Sequence, residues 1–299
     1  MKVLISGGSG LIGSALAEHL AAAGHEVARL VRAGAKLTAS DVPWTPGQPF
    51  AAKSLEGMQA IVHLAGETVG QRWSAAVKEK ILRSRVEGTR TLAEAVAAAT
   101  RAGQKMTLVS ASAIGFYGSR GPEWLTEESA PGEGFLADVC CQWEAAAEPA
   151  RQAGARVVHP RIGLVLSRKG GALPRMLPAF RMGLAGRMGS GQQFWSWITL
   201  RDVVRALEFL LTNEKIAGAV NLTSPAPVTN AEFTRALGEA LHRPTVLPMP
   251  AAVVRTLFGE MGEETILASQ RVRPEQLLPG GFQFEDAEPA EAIRTVLAG

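Results

Sequence analysis

The feature that most constrains this sequence is a set of three evenly spaced glycines near its beginning. A short apolar segment, Lys2–Ser6, leads into Gly7, and Gly10 and Gly13 follow at intervals of three residues. Apolar residues then recur at helical spacing over residues 11–23. A strand, a glycine turn and a helix in this order bring backbone amides and the positive end of the helix dipole together, where they can hold a pyrophosphate.

The next segment extends this unit into a dinucleotide-binding pattern. Residues 25–31 form a second apolar run, so the first 31 residues predict one β-α-β unit with parallel strands. The spacing differs by one residue from the G-x-G-x-x-G fingerprint, and an incidental glycine-rich turn is the alternative. The loop residues expected to contact a dinucleotide are Gly7, Ser9, Gly10, Leu11, Ile12 and Gly13.

The end of the second strand indicates which dinucleotide the chain prefers. An Asp or Glu there would accept a hydrogen bond from the ribose 2′-hydroxyl of NAD(H). Here the strand ends Leu30-Val31-Arg32, and the planar guanidinium of Arg32 suits a 2′-phosphate. The sequence therefore favours NADP(H), and a solvated charge at the end of the strand is the alternative for Arg32.

The rest of the chain continues the alternation of strands and helices. Further strands and helices are predicted for residues 59–65, 75–99, 105–110, 136–153 and 155–159. Between residues 32 and 56 we expect at most one short strand. This order predicts an α/β fold with a Rossmann-type doubly wound parallel sheet over residues 1–160. Residues 161–299 form a smaller C-terminal part, some segments of which return to the core.

The composition excludes several classes of protein. The 299 residues are 46% hydrophobic and 20% charged, which is typical of a globular protein and not of a disordered one. A net charge of +3 is too small to indicate nucleic-acid binding. No membrane span or secretory signal is evident. The adjacent Cys140 and Cys141 and the five scattered histidines do not have metal-ligand spacing. We expect a cytoplasmic protein without a metal, a nucleic-acid partner or a membrane partner.

Several short motifs along the whole chain carry a family resemblance. They are His63-Leu-Ala-Gly-Glu67, Arg72-Trp73, Ser84-Arg85, Trp143-Glu144, Gly189-Ser-Gly191, Ser196-Trp-Ile198, Pro225-x-Pro227-x-x-Asn230 and Arg271-Val-Arg-Pro274. In these motifs the chain resembles the atypical, extended-like short-chain dehydrogenase/reductases that are similar to nucleoside-diphosphate-sugar epimerases. The resemblance implies a Rossmann core, a C-terminal segment of the DUF1731 type from about residue 245, NADP(H) binding and a small-molecule substrate of unassigned identity.

Two further regions are predicted to contact the cofactor. At the end of the third strand and on the long helix the candidates are Leu64, Ala65, Gly66, Lys80 and Arg85. Small residues at a strand end allow the backbone to approach the ribose and pyrophosphate closely. The resemblance places the long helix beside the cofactor, so Arg85 would pair with a phosphate or with Glu67; a plain solvated role is the alternative.

Ser110 and Arg161 complete the predicted cofactor set. Ser110 is the last residue of one predicted strand, and Arg161 follows another. The resemblance places Arg161 where the superfamily covers the nicotinamide. An arginine that points into a crevice needs an anionic partner. For Arg161 this is either a substrate phosphate or carboxylate, or an acidic residue of a nearby loop.

The catalytic residues of the superfamily are only partly present. Its chemistry uses a Tyr, a Lys four residues later and a Ser. With Glu144 as the glutamate that often follows the Lys by four residues, the Tyr and Lys positions hold Leu136 and Cys140, and no Tyr-x-x-x-Lys occurs anywhere. Ser112 matches the superfamily's serine. The sole tyrosine, Tyr117, either packs in a structural turn or serves as a substitute acid.

An intact cofactor loop without this dyad leaves two hypotheses. The first is an NADP(H)-binding oxidoreductase or epimerase-like enzyme, in which hydride passes between the nicotinamide and a carbonyl or carbinol carbon held by Ser112. The second is a non-catalytic NADP(H)-binding sensor or regulatory protein. The aromatic residues Phe194, Trp195 and Trp197 either line a substrate pocket or belong to the core. The long helix resembles one that dimerises related enzymes, so a homodimer is a candidate assembly.

Overall fold

The computed structural model describes residues 1–32, Thr38 and residues 41–299. The strands are β1 (Lys2–Ser6), β2 (Glu26–Arg32), β3 (Asp41–Trp44), β4 (Ala60–His63), β5 (Thr107–Ser110), β6 (Ser112–Ala113), β7 (Trp124–Leu125), β8 (Arg156–Ile162), β9 (Leu164–Leu166), β10 (Phe194–Trp195), β11 (Trp197–Thr199), β12 (Gly218–Leu222), β13 (Val228–Thr229) and β14 (Arg271–Val272). The α-helices are α1 (Leu11–Ala22), α2 (Ala75–Arg101), α3 (Phe135–Ala145), α4 (Glu148–Gln152), α5 (Leu173–Arg181), α6 (Leu200–Thr212), α7 (Asn230–Leu241), α8 (Ala251–Phe258), α9 (Glu260–Thr265) and α10 (Pro289–Ala298).

A parallel sheet forms the centre of the molecule. Its strands lie in the order β12-β8-β5-β4-β1-β2-β3, and β6 also pairs with β8. The chain therefore turns back at β1, which has β2 on one side and β4 on the other. In such sheets a crevice opens beyond the carboxyl ends of the strands where the order reverses. The predicted doubly wound parallel sheet is confirmed, and the crevice is expected beyond Ser6 and His63, the paired last residues of β1 and β4.

Helices cover both faces of this sheet, which is why its inner strands are apolar throughout. On one face α1 and α6 bury Leu16, Leu20 and Leu207 against the strands. On the other face α2 supplies Leu92 and Val96. The glycine motif thus begins a helix whose apolar side is fixed in the core, so the loop before it has a defined position.

The helix predicted over residues 136–153 is divided in two. The α3 helix ends at Ala145, and α4 begins at Glu148 with Pro149 in its first turn. Proline has no N–H group, and its ring clashes with the carbonyl four residues earlier. Pro149 therefore prevents one continuous helix, and the prediction of a single element was wrong at this point.

The C-terminal part is joined to the sheet at several places. The expected boundary at residue 160 lies within β8, and α6 and β12 return to the core. Within residues 41–299, three small two-stranded sheets connect the remaining segments: β10-β13, β11-β9 and β14-β7. Among the residues described, no helix has both the length and the apolar character that crossing a membrane requires.

Candidate cofactor and substrate site

The glycine loop fits tightly between α1 and the end of β4. Gly7 has φ of +71°, which favours glycine. A Cβ on Gly13 would lie 2.2 Å from the Gly7 carbonyl oxygen, and one on Gly7 would lie 2.9 Å from the Ala65 nitrogen. Gly10 is the N-cap of α1, without a side-chain cap. No side chain therefore caps the first N–H groups of α1, which is the arrangement that anion-binding helix starts have.

A serine and a histidine hold the two strand ends of the crevice together. The Ser6 Oγ accepts hydrogen bonds from the backbone N–H of Leu64 at 3.2 Å and of Ala65 at 3.3 Å. It lies 2.5 Å from His63 Nδ1. With its lone pairs used by two N–H groups, the hydroxyl donates to His63, so the imidazole carries its hydrogen on Nε2. This arrangement fixes the backbone of residues 64 and 65 beside the glycine loop.

The imidazole of His63 is wholly buried and neutral. Burial, with a smaller contribution from the positive charge of Arg85, lowers the pKa of His63 to about 4. Its Nε2 has no hydrogen-bond partner among the described residues and lies against Gly88 of α2. The Trp44 ring meets it edge-on, with centroids 5.9 Å apart. Apart from the family motif that begins at His63, no pattern in the sequence indicates this role.

The β2 strand carries two arginines, of which Arg29 contacts the glycine loop. Arg32 is the last residue of the strand and is exposed at its carboxyl end. Arg29, which the sequence analysis missed, lies against Gly8, where a Cβ would be 3.2 Å from the Arg29 Cδ. Its guanidinium donates to both carboxylate oxygens of Asp41, at 2.9 and 3.1 Å. Hydrogen bonds from Arg29 and Thr38 lower the pKa of Asp41 to about 2.

A loop after β9 forms another wall beside α1. Lys169 and Gly170 line a cavity of about 350 Å³ together with Ser9, Gly10 and Leu11. A Cβ on Gly170 would lie 3.4 Å from Leu11 Cδ1, so this loop packs directly on the start of the helix. Lys169 brings a positive charge to the cavity, and no motif in the sequence indicated it.

Arg85 on α2 contacts the segment after β4. A Cβ on Gly66 would lie 3.2 Å from its guanidinium carbon. The Nη1 atom donates to the backbone carbonyls of Glu67 at 3.0 Å and Ile81 at 3.1 Å. The guanidinium also lies over the Trp143 ring, 5.0 Å from its centroid. Arg85 thus binds the backbone of Glu67 and not its carboxylate, and burial lowers the pKa of the guanidinium.

The other predicted cofactor residues differ in position. Ser110 ends β5 and is wholly buried, with its hydroxyl 3.4 Å from that of Thr89. Lys80 is exposed on α2. The fold therefore brings the glycine loop, residues 64–66, Arg85 and Ser110 to one edge of the sheet, whereas Lys80 faces solvent.

Arg161 is buried, and the protein itself uses its guanidinium. Nε and Nη2 donate to the two carboxylate oxygens of Glu144, at 2.8 and 2.9 Å, and Nη1 donates to the Tyr117 hydroxyl at 2.9 Å. The Phe116 ring covers the guanidinium, with 3.4 Å between the ring centroid and the guanidinium carbon. The sequence left two anionic partners open for Arg161, a substrate group or an acidic loop residue. The structure pairs Arg161 with an acidic residue, Glu144, which lies on α3 and not on a loop. A cofactor contact would have to share a guanidinium whose three nitrogens already have partners.

Tyr117 is held in place on both sides. It is wholly buried, accepts from Arg161, and donates to Asn221 Oδ1 at 2.7 Å. Burial raises the pKa of Tyr117 above its usual value. To act as an acid, Tyr117 would have to break both hydrogen bonds, so the geometry favours the packing role.

Ser112 lies beside the positions of the missing dyad. Its hydroxyl donates to Glu144 Oε1 at 2.7 Å. A Cβ on Gly115 would lie 3.2 Å from Leu136 Cβ and 3.8 Å from Cys140 Sγ, so both dyad positions border the turn that follows Ser112. Burial raises the pKa of Cys140 to about 12. Neither position carries a group that exchanges protons near neutral pH.

A glutamate of the C-terminal segment caps the helix that holds these positions. Glu264 accepts hydrogen bonds from the backbone N–H groups of Phe135 at 2.8 Å and Leu136 at 2.7 Å. Nearby, Glu260 pairs with Lys78 of α2 at 2.7 Å. The C-terminal segment therefore closes over the starts of α2 and α3, which the sequence did not reveal.

Most of the aromatic residues that follow the Gly189-Ser-Gly191 stretch pack in the protein interior. Trp197 is wholly buried, and its Nε1 donates to the Ala226 carbonyl at 2.9 Å. Trp195 donates to the Ile266 carbonyl at 3.2 Å. Phe194 is partly exposed and stacks on Arg271, 4.5 Å from the ring centroid to the guanidinium carbon. The core role fits the two tryptophans.

Comparison with protein families agrees with the geometry of the crevice. The model described as "NAD dependent epimerase/dehydratase family" matches residues 3–222. The chain belongs to this family. A domain of unknown function, DUF1731, matches residues 249–296, close to the start expected near residue 245.

Relatives in this family align over nearly the whole chain. The epimerase family protein Mb2239 of Mycobacterium bovis is 47% identical over 293 residues, which cover 97% of this chain and 96% of that protein. A chloroplastic SDR39U1 homologue of Arabidopsis thaliana is 36% identical, covering 99% of this chain and 87% of that protein. A crystal structure of human SDR39U1 with NADPH superposes with a TM-score of 0.88 at 33% identity, covering all of both chains. The resemblance inferred from the sequence motifs is confirmed.

Proposed function

We propose that this chain is an NADP(H)-dependent oxidoreductase or epimerase-like enzyme that acts on a small carbonyl or sugar-nucleotide-like substrate. The observation that carries the proposal is the glycine cradle, in which Gly7 and Gly13 leave no room for a Cβ and the first turn of α1 has no side-chain cap. The human relative crystallised with NADPH supports the choice of cofactor.

The residues present fit this cofactor. The N–H groups at the start of α1 would hold the pyrophosphate, and the backbone of residues 64–66 would lie along the adenosine ribose and the pyrophosphate. Arg32, exposed at the end of β2, would bind the 2′-phosphate. When bound, NADP(H) supplies or accepts a hydride at the nicotinamide.

The chain's own part in the reaction centres on Ser112. Glu144 is paired with Arg161 through both carboxylate oxygens, so it accepts a hydrogen bond from the Ser112 hydroxyl and donates none to it. Ser112 therefore offers lone pairs to a ligand and orients a substrate hydroxyl. Arg161 keeps Glu144 in position, so the direction of this hydrogen bond is fixed before substrate binds.

Cofactor preference provides the first test of this proposal. Calorimetric titration with NADPH and NADH should give tighter binding of NADPH, and Arg32→Ala should reduce the preference about tenfold or more. Arg90→Ala, a change at an exposed arginine of α2, is the matched control and should leave the preference unchanged. Equal affinities of the wild-type protein for the two cofactors would refute the assignment of Arg32.

Hydride transfer provides the second test. Protein incubated with stereospecifically deuterated NADPH and a panel of carbonyl compounds and nucleotide sugars should place deuterium in a product. Ser112→Ala should slow this transfer while NADPH binding stays unchanged. Deuterium in no product, with NADPH bound, would count against an enzyme.

The missing dyad favours a second candidate function, a non-catalytic NADP(H)-binding sensor or regulatory protein. Leu136 and Cys140 stand at the dyad positions, and Tyr117 is locked by two hydrogen bonds. Bound NADPH without any hydride transfer is the result that selects it. A cytoplasmic location, the homodimer and the absence of nucleic-acid and membrane partners remain predictions.

A further inference from the structure

Arg85 is a partly buried cation that no carboxylate of the described residues contacts. Within the described part of the chain its hydrogen bonds go to two backbone carbonyls, and it forms no salt bridge. The Glu67 carboxylate influences it only through space and accepts instead from Gln71 at 3.3 Å. Arginine stays charged when enclosed, and leaving such a charge without a partner is unfavourable. A group outside the protein is therefore expected to complete its surroundings.

Arg85 lies beside the helix that carries the position of the missing lysine. Trp143, over which its guanidinium lies, is one helical turn after Cys140 on α3. The charge of Arg85 acts on the Cys140 thiol and opposes part of the pKa rise that burial causes. On its other side Arg85 touches Gly66, at the edge of the crevice. The guanidinium thus bridges the crevice and the helix that lacks its lysine.

The geometry points to Arg85 as the replacement for that lysine: we propose that it binds the ribose next to the nicotinamide. Both of its hydrogen bonds in the described structure start from Nη1, so Nε and Nη2 keep N–H donors. Two adjacent donors of a planar guanidinium match two neighbouring hydroxyl oxygens, as they match the two oxygens of a carboxylate. This inference rests on the proposed function only in its cofactor, and not in the reaction.

Two ligands that differ at this ribose test the assignment. NADPH contains the nicotinamide ribose, whereas 2′-phospho-ADP has the adenosine, the 2′-phosphate and the diphosphate but lacks that ribose. Calorimetry with Arg85→Met should weaken NADPH binding about ten- to hundredfold, because charge-assisted hydrogen bonds are lost. Binding of 2′-phospho-ADP should change less than about twofold, within the range of a neutral surface substitution. Arg85→Lys should recover part of the NADPH affinity.

The comparison separates this inference from its alternatives. Arg90→Met, at an exposed residue of the same helix, is the control and should affect neither ligand. Equal weakening of both ligands by Arg85→Met would mean that Arg85 binds the diphosphate or only supports the fold, and would overturn the assignment. So would an unchanged affinity for NADPH. A wild-type protein that binds NADPH but transfers no hydride would refute the proposed enzyme and leave the assignment of Arg85 intact.

Discussion

Acidification should destabilise this protein through one buried histidine. His63 is wholly buried, and its pKa in the folded protein is about 4, against 6.5 for an exposed histidine. Between these values the unfolded chain binds a proton that the folded chain does not, so stability falls as the pH falls. The difference between the two pKa values corresponds to about 3 kcal/mol, lost between roughly pH 7 and pH 4. Protonation would also remove the acceptor that Ser6 uses.

Urea denaturation at several pH values measures this contribution. The free energy of unfolding of the wild-type protein should fall more steeply between pH 7.5 and pH 4.5 than that of His63→Gln, because glutamine does not titrate. Subtracting the two curves removes the contributions of the carboxylates and of the partly buried His159, which both proteins share. His242→Asn, at an exposed histidine in the left-handed conformation that asparagine tolerates, should keep the wild-type slope. Parallel curves for wild type and His63→Gln would refute the reasoning.

Four further substitutions, in two pairs, test the glycine cradle and the buried hydrogen bonds around Arg161. Gly13→Ala would place a Cβ 2.2 Å from the Gly7 carbonyl oxygen, so it should abolish detectable NADPH binding in calorimetry. Gly10→Ala, with 3.2 Å to the same oxygen, should weaken NADPH binding less. A larger loss of NADPH affinity in Gly10→Ala than in Gly13→Ala would contradict the cradle. Glu144→Gln leaves the buried Arg161 without its counter-charge and should lower the free energy of unfolding by about 3 kcal/mol. Tyr117→Phe removes one hydroxyl from Arg161 and should lower it by only about 1 kcal/mol, so equal losses in urea denaturation would contradict the importance of the ion pair.

Much of the fold was predictable because its signals are local. The inner strands are buried on both faces, so β1 and β4 read as apolar runs, and the glycine spacing placed the turn before α1. The division between α3 and α4 was missed even though Pro149 was visible. Proline is common in the first turn of a helix, so Pro149 indicates that a second helix begins there.

The interior of the candidate site was less predictable, because its partners are far apart in the chain. Arg161 and Glu144 were both noticed, but their pairing depends on how α3 packs against β8. Ser6 and His63 are 57 residues apart and meet only because β1 pairs with β4. Glu264 comes from the C-terminal segment, and nothing local to it indicates a cap for α3. Such contacts follow from the topology and not from motifs.

A crystal structure of the protein with NADPH tests the central claim most directly. We predict the pyrophosphate at the first turn of α1, the 2′-phosphate against Arg32, and the nicotinamide on the side of the crevice where Ser112 and Glu144 lie. A cofactor bound elsewhere, or one whose 2′-phosphate lies away from Arg32, would contradict the account.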